Sequence, residues 1–381
     1  MKASWKSEAR LISALVSAQS DTRRGLEGPL GLGKAAISVM TDRLIRQGYI
    51  SEGAKLSRSV RGRKSVALAV RPDLGYLIGT DLEGLAIRAC LLNSARELVA
   101  KAKCEVSSSW TPAKLLKQWE ALLDDLVRQS GVRLDRIAGI GAGLPGMLAP
   151  GQLTTRAYLP PGQWVNLDAT RALSRLGLPV TVANNVLCAA DYERRLGVAA
   201  GESSFLVVLV RYGVGAALYG NGQFLVGDDS FTCEMGHMRI DRDGPRCVCG
   251  RRGCLDAVAS GRTLPPVERR RGVAWERELA RRMQALGVGM ANILKIFHPP
   301  LVLLDGVYNE YEEVVLPMLR QTLKQELDGL GLSVPRLVIG EKVEFKAGIG
   351  AALRAADLFM EPYLLTRVFN RAVARPRRKG T

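Results

Sequence analysis

The sequence predicts a two-lobed α/β protein with a separate helical domain in front of it. A basic segment with helical patterning occupies residues 1–71, and the strand patterns after it recur in a related order. A chain of 381 residues is also longer than one hydrophobic core usually supports, which favours two or three domains. The predicted fold class is therefore α/β with a small N-terminal domain.

Composition limits the class of protein. Hydrophobic residues make up 47% of the chain, which is enough for folded domains. No apolar run approaches the roughly 18 to 20 residues that span a bilayer, and the first residues lack the apolar stretch of a signal peptide. We therefore expect a cytoplasmic protein with no membrane partner. In that compartment the seven cysteines are expected to be thiols or metal ligands.

Positive charge is concentrated at the two ends of the chain. The net charge is +17; residues 1–71 hold fourteen Lys and Arg against five Asp and Glu, and residues 367–381 hold six basic residues and no acidic one. A basic N-terminal domain indicates a polyanionic partner such as DNA. The tail is typical of a disordered, solubilising end.

Three short helices are predicted in the N-terminal segment. ARLISALVSAQ has apolar residues at helical spacing, whereas a second helix near Thr22 is weakened by Gly25, Gly28 and Pro29. The third helix follows Gly31, in LGKAAISVMTDRLIRQGYI. An extended YISE and the basic RSVRGRKSVALAV complete the pattern of a winged helix-turn-helix, whose third helix enters the major groove.

The candidate DNA contacts follow from this arrangement. The first residues of the third helix reach the bases, and the basic wing contacts phosphates or enters a minor groove. The candidates are Lys34, Ala35, Ser38 and Arg43 in the helix and Arg58, Arg61, Arg63 and Lys64 in the wing. The alternative is a small basic helical bundle without a role in DNA binding.

From Tyr76 the pattern changes to strands. YLIGTDL, AIRACLL and ELVAKAKCEV predict a meander, and a helix over residues 112–129 and the strands IAGIGAGLPG and PVTVANN follow. A related order recurs in SSFLVVLVRYGVG, AALYGNGQFLVG with an Asn221-Gly222 hairpin turn, PPLVLLDG and RLVIGE. Residues 347–366 are predicted to form a helix that returns to the first lobe. Two similar lobes predict a ligand cleft between them.

One histidine precedes three closely spaced cysteines in EMGHMRIDRDGPRCVCGRRGC, residues 234–254. A disulfide needs an oxidising compartment, and Cys247 and Cys249 are too close for an ordinary unstrained bridge. A turn without chemistry would not require the histidine. Tetrahedral zinc takes Cys and His ligands, so the spacing predicts a closed, structural zinc site. Its ligands are His237, Cys247, Cys249 and Cys254.

The ordered set GIGAGLPG, LPVTVANN, GVGAALYGNGQFLVG, EMGHM and CVCGRRGCLDAVAS resembles the ROK family of repressors and sugar kinases. The resemblance covers essentially the whole chain, because ROK repressors also carry an N-terminal winged helix-turn-helix joined through a Gly-Arg wing similar to RGRKSVAL. It implies the two-lobed actin-like, ribonuclease-H-like ATPase fold with a zinc-binding insertion.

The phosphate loops and the catalytic base depart from the kinase pattern of the family. DLEGL at residues 81–85 stands where kinases have DxGGT, and Glu83 would repel a triphosphate. RYGVGAA at residues 211–217 occupies the place of the second loop, GTGIGGG, of the kinases. Asn185 in ANNVL replaces the aspartate of ENDAN, and an amide cannot accept the sugar proton at neutral pH. The sequence therefore predicts no kinase activity; a hexose kinase that uses ATP is the alternative.

The resemblance implies that much of the sugar site remains. Amide, carboxylate and imidazole groups would hold sugar hydroxyls, and a glycine would let the sugar approach the backbone. The implied residues are Gly143, Asn184, Asn185, Glu234, His237 and Asp256. His237 would bind zinc through one ring nitrogen and face a hydroxyl with the other. A site so altered that nothing binds is the alternative.

These observations predict a sugar-responsive transcriptional regulator, most simply a repressor of carbohydrate metabolism. The expected domains are a winged helix-turn-helix over residues 1–71, lobe 1 over 72–185, lobe 2 with the zinc site over 186–346, and a returning helix with a basic tail over 347–381. Its partners would be operator DNA, a sugar effector and a second or further copies in a homodimer or homotetramer. A zinc-stabilised DNA-binding scaffold that has lost its ligand response is a third possibility.

Overall fold

The computed structural model describes most of the chain. The described residues are 2–18, 21–56, 65–146, 148, 154, 166–227 and 233–369. The predicted wing contacts, Arg58, Arg61, Arg63 and Lys64, and the basic tail from residue 370 lie outside the described residues. Within the described part of the chain, no helix is long and apolar enough to cross a membrane.

The N-terminal segment forms three helices and an antiparallel two-stranded hairpin, in the predicted order. These elements are α1 (Lys2–Val16), α2 (Glu27–Leu30), α3 (Lys34–Arg46), β1 (Ile50–Leu56) and β2 (Ser65–Val70). The second helix is short, as predicted, but it begins at Glu27 and not near Thr22. It is one turn long, includes Gly28 and Pro29, and ends at Gly31, whose φ of 63° lies in the left-handed region that glycine adopts without strain.

Lobe 1 is built on a five-stranded sheet in the order β5-β4-β3-β6-β7. Its strands are β3 (Tyr76–Glu83), β4 (Ala86–Asn93), β5 (Leu98–Glu105), β6 (Ile137–Leu144) and β7 (Val180–Asn184). The first three form the predicted antiparallel meander, and β6 and β7 run parallel to β3. Helix α4 (Pro112–Ser130) covers one face, where the buried Trp119 indole donates to Thr80 Oγ1 at 2.9 Å.

Lobe 2 repeats the same topology in the order β10-β9-β8-β11-β12. Its strands are β8 (Phe205–Val210), β9 (Val214–Gly220), β10 (Gln223–Phe224), β11 (Leu301–Gly306) and β12 (Arg336–Ile339). Again a meander is followed by two strands parallel to its first strand. The predicted hairpin turn is confirmed, since Asn221 and Gly222 both have positive φ. The predicted internal duplication is therefore confirmed.

The remaining helices pack against these sheets. They are α5 (Thr170–Leu173), α6 (Asn185–Arg195), α7 (Leu255–Ala259), α8 (Gly272–Leu294), α9 (Glu312–Leu327) and α10 (Lys346–Tyr363), which continues as a π-helical turn (Leu364–Phe369). Short 3-10 turns lie at Pro72–Leu74, Leu134–Arg136, Met235–His237, Gly261–Thr263, Val267–Arg269, Asn309–Tyr311 and Asp328–Leu330.

Helix α10 returns to lobe 1, as the sequence predicts, and contacts its sheet backbone to backbone. A Cβ added at Gly79 in β3 would overlap the Gly348 carbonyl, and one added at Gly141 in β6 would overlap the Ala351 carbonyl. On another side, a Cβ at Gly350 would overlap the Cys188 carbonyl of α6. Glycine at these positions therefore lets α10 lie against the sheet and α6 at once.

The two ends of α10 join it to lobe 2 and to the N-terminal helices. At its start the buried Lys346 ammonium pairs with Glu193 of α6 and, at 2.8 Å, with Asp305 of β11. Near its end the Ala356 carbonyl accepts a hydrogen bond from the Ser13 hydroxyl of α1 at 3.1 Å. One helix thus touches all three parts of the fold.

Substitution of Gly141 by Ala should destabilise the protein, because the new methyl group would force α10 away from β6. We expect the free energy of unfolding to fall by about 1 to 3 kcal/mol or more, the usual cost of overpacking a core. Gly329→Ala is the matched control, since no atom lies within 4 Å of a Cβ at that position. Urea denaturation of both variants measures the difference; equal stabilities would contradict the close contact.

Candidate ligand cavity and metal centre

A cavity opens between the two lobes, at the carboxyl ends of β6 and β7. Five of the six sequence-predicted sugar residues lie in its wall: Asn184, Asn185, Glu234, His237 and Asp256. They come from three separated stretches of the chain, which the fold brings together. The wall also contains Glu83, Gly84, Pro145, Gly146, Arg211, Tyr212, Cys233 and Arg262.

The sixth predicted residue, Gly143, is not part of the cavity wall. It lies inside the sheet, paired with Asp81 on one side and Ala183 on the other. A Cβ at Gly143 would sit 3.4 Å from the Asp81 Cβ and from the Asn185 Cα. The expectation that Gly143 admits the sugar to the backbone stays a prediction; the residues of this stretch that line the cavity are Pro145 and Gly146.

The asparagine pair lies at the start of α6. Asn184 caps the helix: its Oδ1 accepts from the Val186 amide at 2.8 Å, and its Nδ2 donates to the Gly146 carbonyl at 2.9 Å. Asn185 is the first residue of the helix and is only 7% exposed. The Asn184 side chain therefore links the part of the cavity wall at Gly146 to the start of α6.

Four predicted metal ligands form one compact cluster. The ligand atoms of His237, Cys247, Cys249 and Cys254 all lie within 4.8 Å of one another. Cys247 Sγ is 3.7 Å from His237 Nδ1, and Cys249 Sγ is 3.6 Å from Cys254 Sγ. Zinc–sulfur bonds of about 2.3 Å give tetrahedral edges of about 3.8 Å, so the donor set is compatible with a structural zinc ion.

Tight backbone turns shape this cluster. Gly250 and Gly253 have φ values of 85° and 72°, and a side chain at Gly253 would overlap the Asp241 carbonyl. Cys254 then precedes α7 as its N-cap residue. His237 closes a 3-10 turn in which a Cβ at Gly236 would overlap the Val214 carbonyl of β9. The cluster therefore connects two segments of the cavity wall, the turn that carries Glu234 and the helix that carries Asp256.

Asp256 is held by contacts that the sequence did not reveal. Its Oδ1 accepts from the Val214 amide at 2.9 Å, and its Oδ2 accepts from Arg262 Nη2 at 2.6 Å. The Arg262 guanidinium also lies 5.7 Å from the centre of the Tyr212 ring. A ligand at this wall would meet Arg262 as well as the carboxylate. The only sequence signal was an arginine six residues after a buried acid.

The loops at residues 81–85 and 211–217 face each other across the cavity and are joined by an ion pair. The Arg211 guanidinium at the end of β8 donates to the Glu83 carboxylate at the end of β3. Arg88 of β4 lies 3.5 Å from Glu83 and 3.4 Å from Asp81. Burial and the charge of Glu83 raise the pKa of Asp81 to about 6, although Arg88 and Arg211 oppose that rise. Glu83, Arg88 and Arg211 also line a second cavity, of about 850 Å³.

The predicted DNA contacts in α3 differ in how far their side chains are exposed to solvent. Lys34 and Ala35 are exposed at the start of the helix, and Ser38 is half-buried. Arg43 is only half-exposed, and its Nη1 lies 2.9 Å from the buried Glu8 carboxylate of α1. This ion pair anchors α3 to α1, so a base-reading role for Arg43 is not favoured by the geometry.

Comparison with known proteins connects this site to one family. The sequence pattern of the ROK family matches residues 77–357. The chain belongs to the ROK family. The predicted resemblance is thus confirmed, and the pattern includes the cavity, the four-ligand cluster and most of α10.

Both repressors and kinases occur among its ROK relatives. The chain is 28% identical over 328 residues to a xylose repressor from Caldicellulosiruptor bescii, covering 77% of this chain and 81% of the relative. It is 26% identical to a glucokinase from Streptomyces coelicolor, covering 76% and 99%. A solved ROK family transcriptional regulator, described as a homolog of the E. coli MLC protein, superposes with a TM-score of 0.70 at 22% identity, covering 94% and 98%.

If zinc organises this ROK cavity, Cys249→Ser should remove the ion and weaken ligand binding together. We expect the zinc content of the purified protein to fall from about one ion per chain to nearly none, because one of four ligands is lost. Metal analysis and thermal denaturation measure the loss. Cys104→Ser is the control, since Cys104 lies in β5 outside the cluster. A variant that lost zinc and kept full sugar affinity would contradict the link between metal and cavity.

Proposed function

We propose that this ROK protein is a sugar-responsive transcriptional repressor that binds operator DNA and does not phosphorylate its sugar. The observation that carries the proposal is the path of α6. The helix begins in the cavity wall with Asn185 and ends at Arg195, whose guanidinium donates to the Ser17 carbonyl just after α1. A ligand cavity and a basic helical domain are thereby connected through one helix of 11 residues.

The N-terminal domain is proposed to be a winged helix-turn-helix. Three helices, a hairpin and a strongly basic composition are what such a domain requires, and α3 presents Lys34 and Ala35 to solvent. Relatives named as a xylose repressor and as the DNA-binding transcriptional dual regulator NagC support this role. The wing residues would add phosphate contacts. A homodimer or homotetramer would read paired half-sites.

The cavity is proposed to bind a sugar or sugar derivative. Its walls carry amide, carboxylate, imidazole and guanidinium groups, which pair with the alternating donors and acceptors of a polyhydroxylated ligand. A wrong isomer would leave buried polar atoms unpaired, which is the basis of selectivity in such a site. The proposed contacts are Asn184, Asn185, Glu234, His237, Asp256 and Arg262.

Two features argue against phosphoryl transfer. The position expected for the carboxylate base is occupied by Asn185, whose amide cannot take the proton from a sugar hydroxyl. Between the two loops, the Glu83 carboxylate already neutralises Arg211, and it would repel the γ-phosphate of a nucleotide. Burial opposes the charge of Arg211, but Glu83 outweighs that effect and raises the pKa of Arg211, so the guanidinium stays charged.

The metal, when bound, would act as a structural ion. Zinc held by His237, Cys247, Cys249 and Cys254 has no open coordination position, so it would fix protein geometry and not activate water. His237 faces the cluster through Nδ1, which leaves Nε2 as the ring nitrogen available to the cavity. The ion would thereby hold Glu234 and Asp256 in place from two sides.

The ligand response is proposed to travel along α6. A sugar that pulls on Asn184 or Asn185 would shift the start of this helix, and Arg195 at its end contacts two elements of the fold. Besides the Ser17 carbonyl, Arg195 pairs with Asp357 of α10 at 2.6 Å and with Asp191 at 2.9 Å. A shift there would change how the N-terminal domain is held, and so the spacing of two such domains on DNA.

The zinc-loaded protein should bind specific DNA fragments and release them with the right sugar. We expect its affinity to fall on the order of 10³-fold between 50 and 200 mM salt, because at least about six phosphates are contacted. Retention of genomic fragments followed by sequencing identifies the operator. A thermal-shift panel of sugars identifies the effector, since a ligand that binds only the folded state raises the melting temperature. Retention of no specific fragment would contradict the proposal.

A kinase assay on the same preparation tests the alternative function, that of a hexose kinase that uses ATP. With ATP and the sugar panel we expect no turnover, because the chain has no carboxylate at the base position. Sugar-dependent ADP formation that Asn185→Ala abolished would show a kinase instead.

Arg195→Lys should uncouple the two sites. Lysine keeps the positive charge but cannot serve three acceptors in a fixed plane, so α6 should transmit its movement less well. We expect the sugar affinity to change by less than about twofold, while the sugar-induced change in operator affinity shrinks by about fivefold or more, the lower end of allosteric coupling. Isothermal titration calorimetry and fluorescence anisotropy measure the two affinities.

Arg194→Lys is the matched control for this test. Arg194 is the preceding residue of α6 and also pairs with Asp191, at 2.8 Å, but its side chain lies over the Tyr219 ring of lobe 2. The Arg194→Lys substitution should leave the coupling between sugar binding and operator binding unchanged. If both variants responded to sugar like the unsubstituted protein, α6 would not be the route.

A further inference from the structure

One exposed side of α3 is apolar. Val39 is 65% exposed although its side chain is a large apolar one. It points away from the buried face formed by Ile37, Thr41 and Leu44, because residues two and five positions away lie on the far side of an α-helix. Ala35 and Ala36 are exposed one turn earlier. Together Ala35, Ala36 and Val39 form a small patch of methyl groups, here called the α3 methyl patch.

The charged neighbours of the α3 methyl patch are engaged within the N-terminal domain. Arg43 pairs with Glu8 at 2.9 Å. Asp42 is bound at 3.0 Å by Arg23, which also reaches Glu52 of β1 at 2.7 Å. These ion pairs hold α3 against α1 and the hairpin. They give Arg43 and Asp42 partners within the domain, while the side chains of the methyl patch are exposed to solvent.

The surroundings of the patch favour DNA as its partner over another protein surface. The domain carries a large excess of positive charge over residues 1–71, and Lys34 flanks the patch at the start of α3. The patch holds only three small side chains, which is far less apolar area than a stable protein interface needs. In a major groove, by contrast, the one apolar group that a base pair presents is the C5-methyl of thymine.

We propose that Val39 is a specificity-determining residue that recognises thymine methyl groups in the operator. This inference rests on the proposed DNA-binding function and extends it to the chemistry of base recognition. The three side chains of the α3 methyl patch have no hydrogen-bonding group, so they select bases by van der Waals contact and not by donor and acceptor pattern. The half-site therefore contains at least one thymine whose methyl group meets Val39, and A·T pairs lie under the start of α3.

Replacing thymine by deoxyuridine tests the inference, because this change removes only the methyl group. The probe is a duplex selected from a random-sequence pool by the full-length, zinc-loaded protein, with each thymine replaced in turn. We expect one or two positions in each half-site to weaken binding about three- to tenfold. Val39→Ala should weaken binding to the thymine duplex by a similar factor and make the deoxyuridine replacement silent at those positions. Val39→Ile, which keeps the branched contact, should restore the sensitivity.

The controls separate this inference from the proposed function. Val267→Ala removes an equally exposed valine, 69% exposed, from the body of the protein and should change neither affinity nor deoxyuridine sensitivity. Specific duplex binding that ignores every thymine methyl, or the same sensitivity in Val39→Ala, would overturn the role of Val39 alone. Selection of no specific duplex would overturn the DNA-binding function and the inference with it.

Discussion

The backbone contact between α10 and the glycines of the first sheet determines how the three parts of the molecule are placed. Gly79 and Gly141 have no side chain, so the helix lies directly on the strands. At that depth α10 also meets α6 through Gly350, lobe 2 through Lys346, and α1 through the Ala356 carbonyl. Any residue that lifted α10 would therefore disturb the cavity and the N-terminal domain at the same time.

Much of the fold could be predicted from the sequence because its signals are local. Strand alternation, turn residues and the four metal ligands lie close together in the chain, and the structure places each as expected. Contacts between distant segments were less predictable. Gly143 was assigned to the sugar site by its place in a motif, whereas the cavity wall contains Pro145 and Gly146 of the same stretch. Arg262 was not assigned to the site from the sequence, because its contact with Asp256 is seen only in the folded chain.

The relatives of this chain include both a xylose repressor and a glucokinase. In this chain the cavity wall carries the side-chain amide of Asn185. Asp256 keeps a carboxylate, but its two oxygens are bound to the Val214 amide and to Arg262. These groups can pair with the hydroxyls of a polyhydroxylated ligand, which agrees with the recognition function proposed above. A structural metal ion in the four-ligand cluster would act only on the shape of this wall.

The ion pair between Glu83 and Arg211 has a consequence for single substitutions at the two loops. Both side chains are largely out of water, and Arg88 lies 3.5 Å from the same Glu83 carboxylate. Removal of Arg211 would therefore leave Glu83 beside a second guanidinium. Removal of Glu83 would deprive both arginines of this carboxylate, and an uncompensated charge in a buried site is destabilising. The two positions are thus unequal: the charge balance of this part of the cavity depends more on the one acid than on either base.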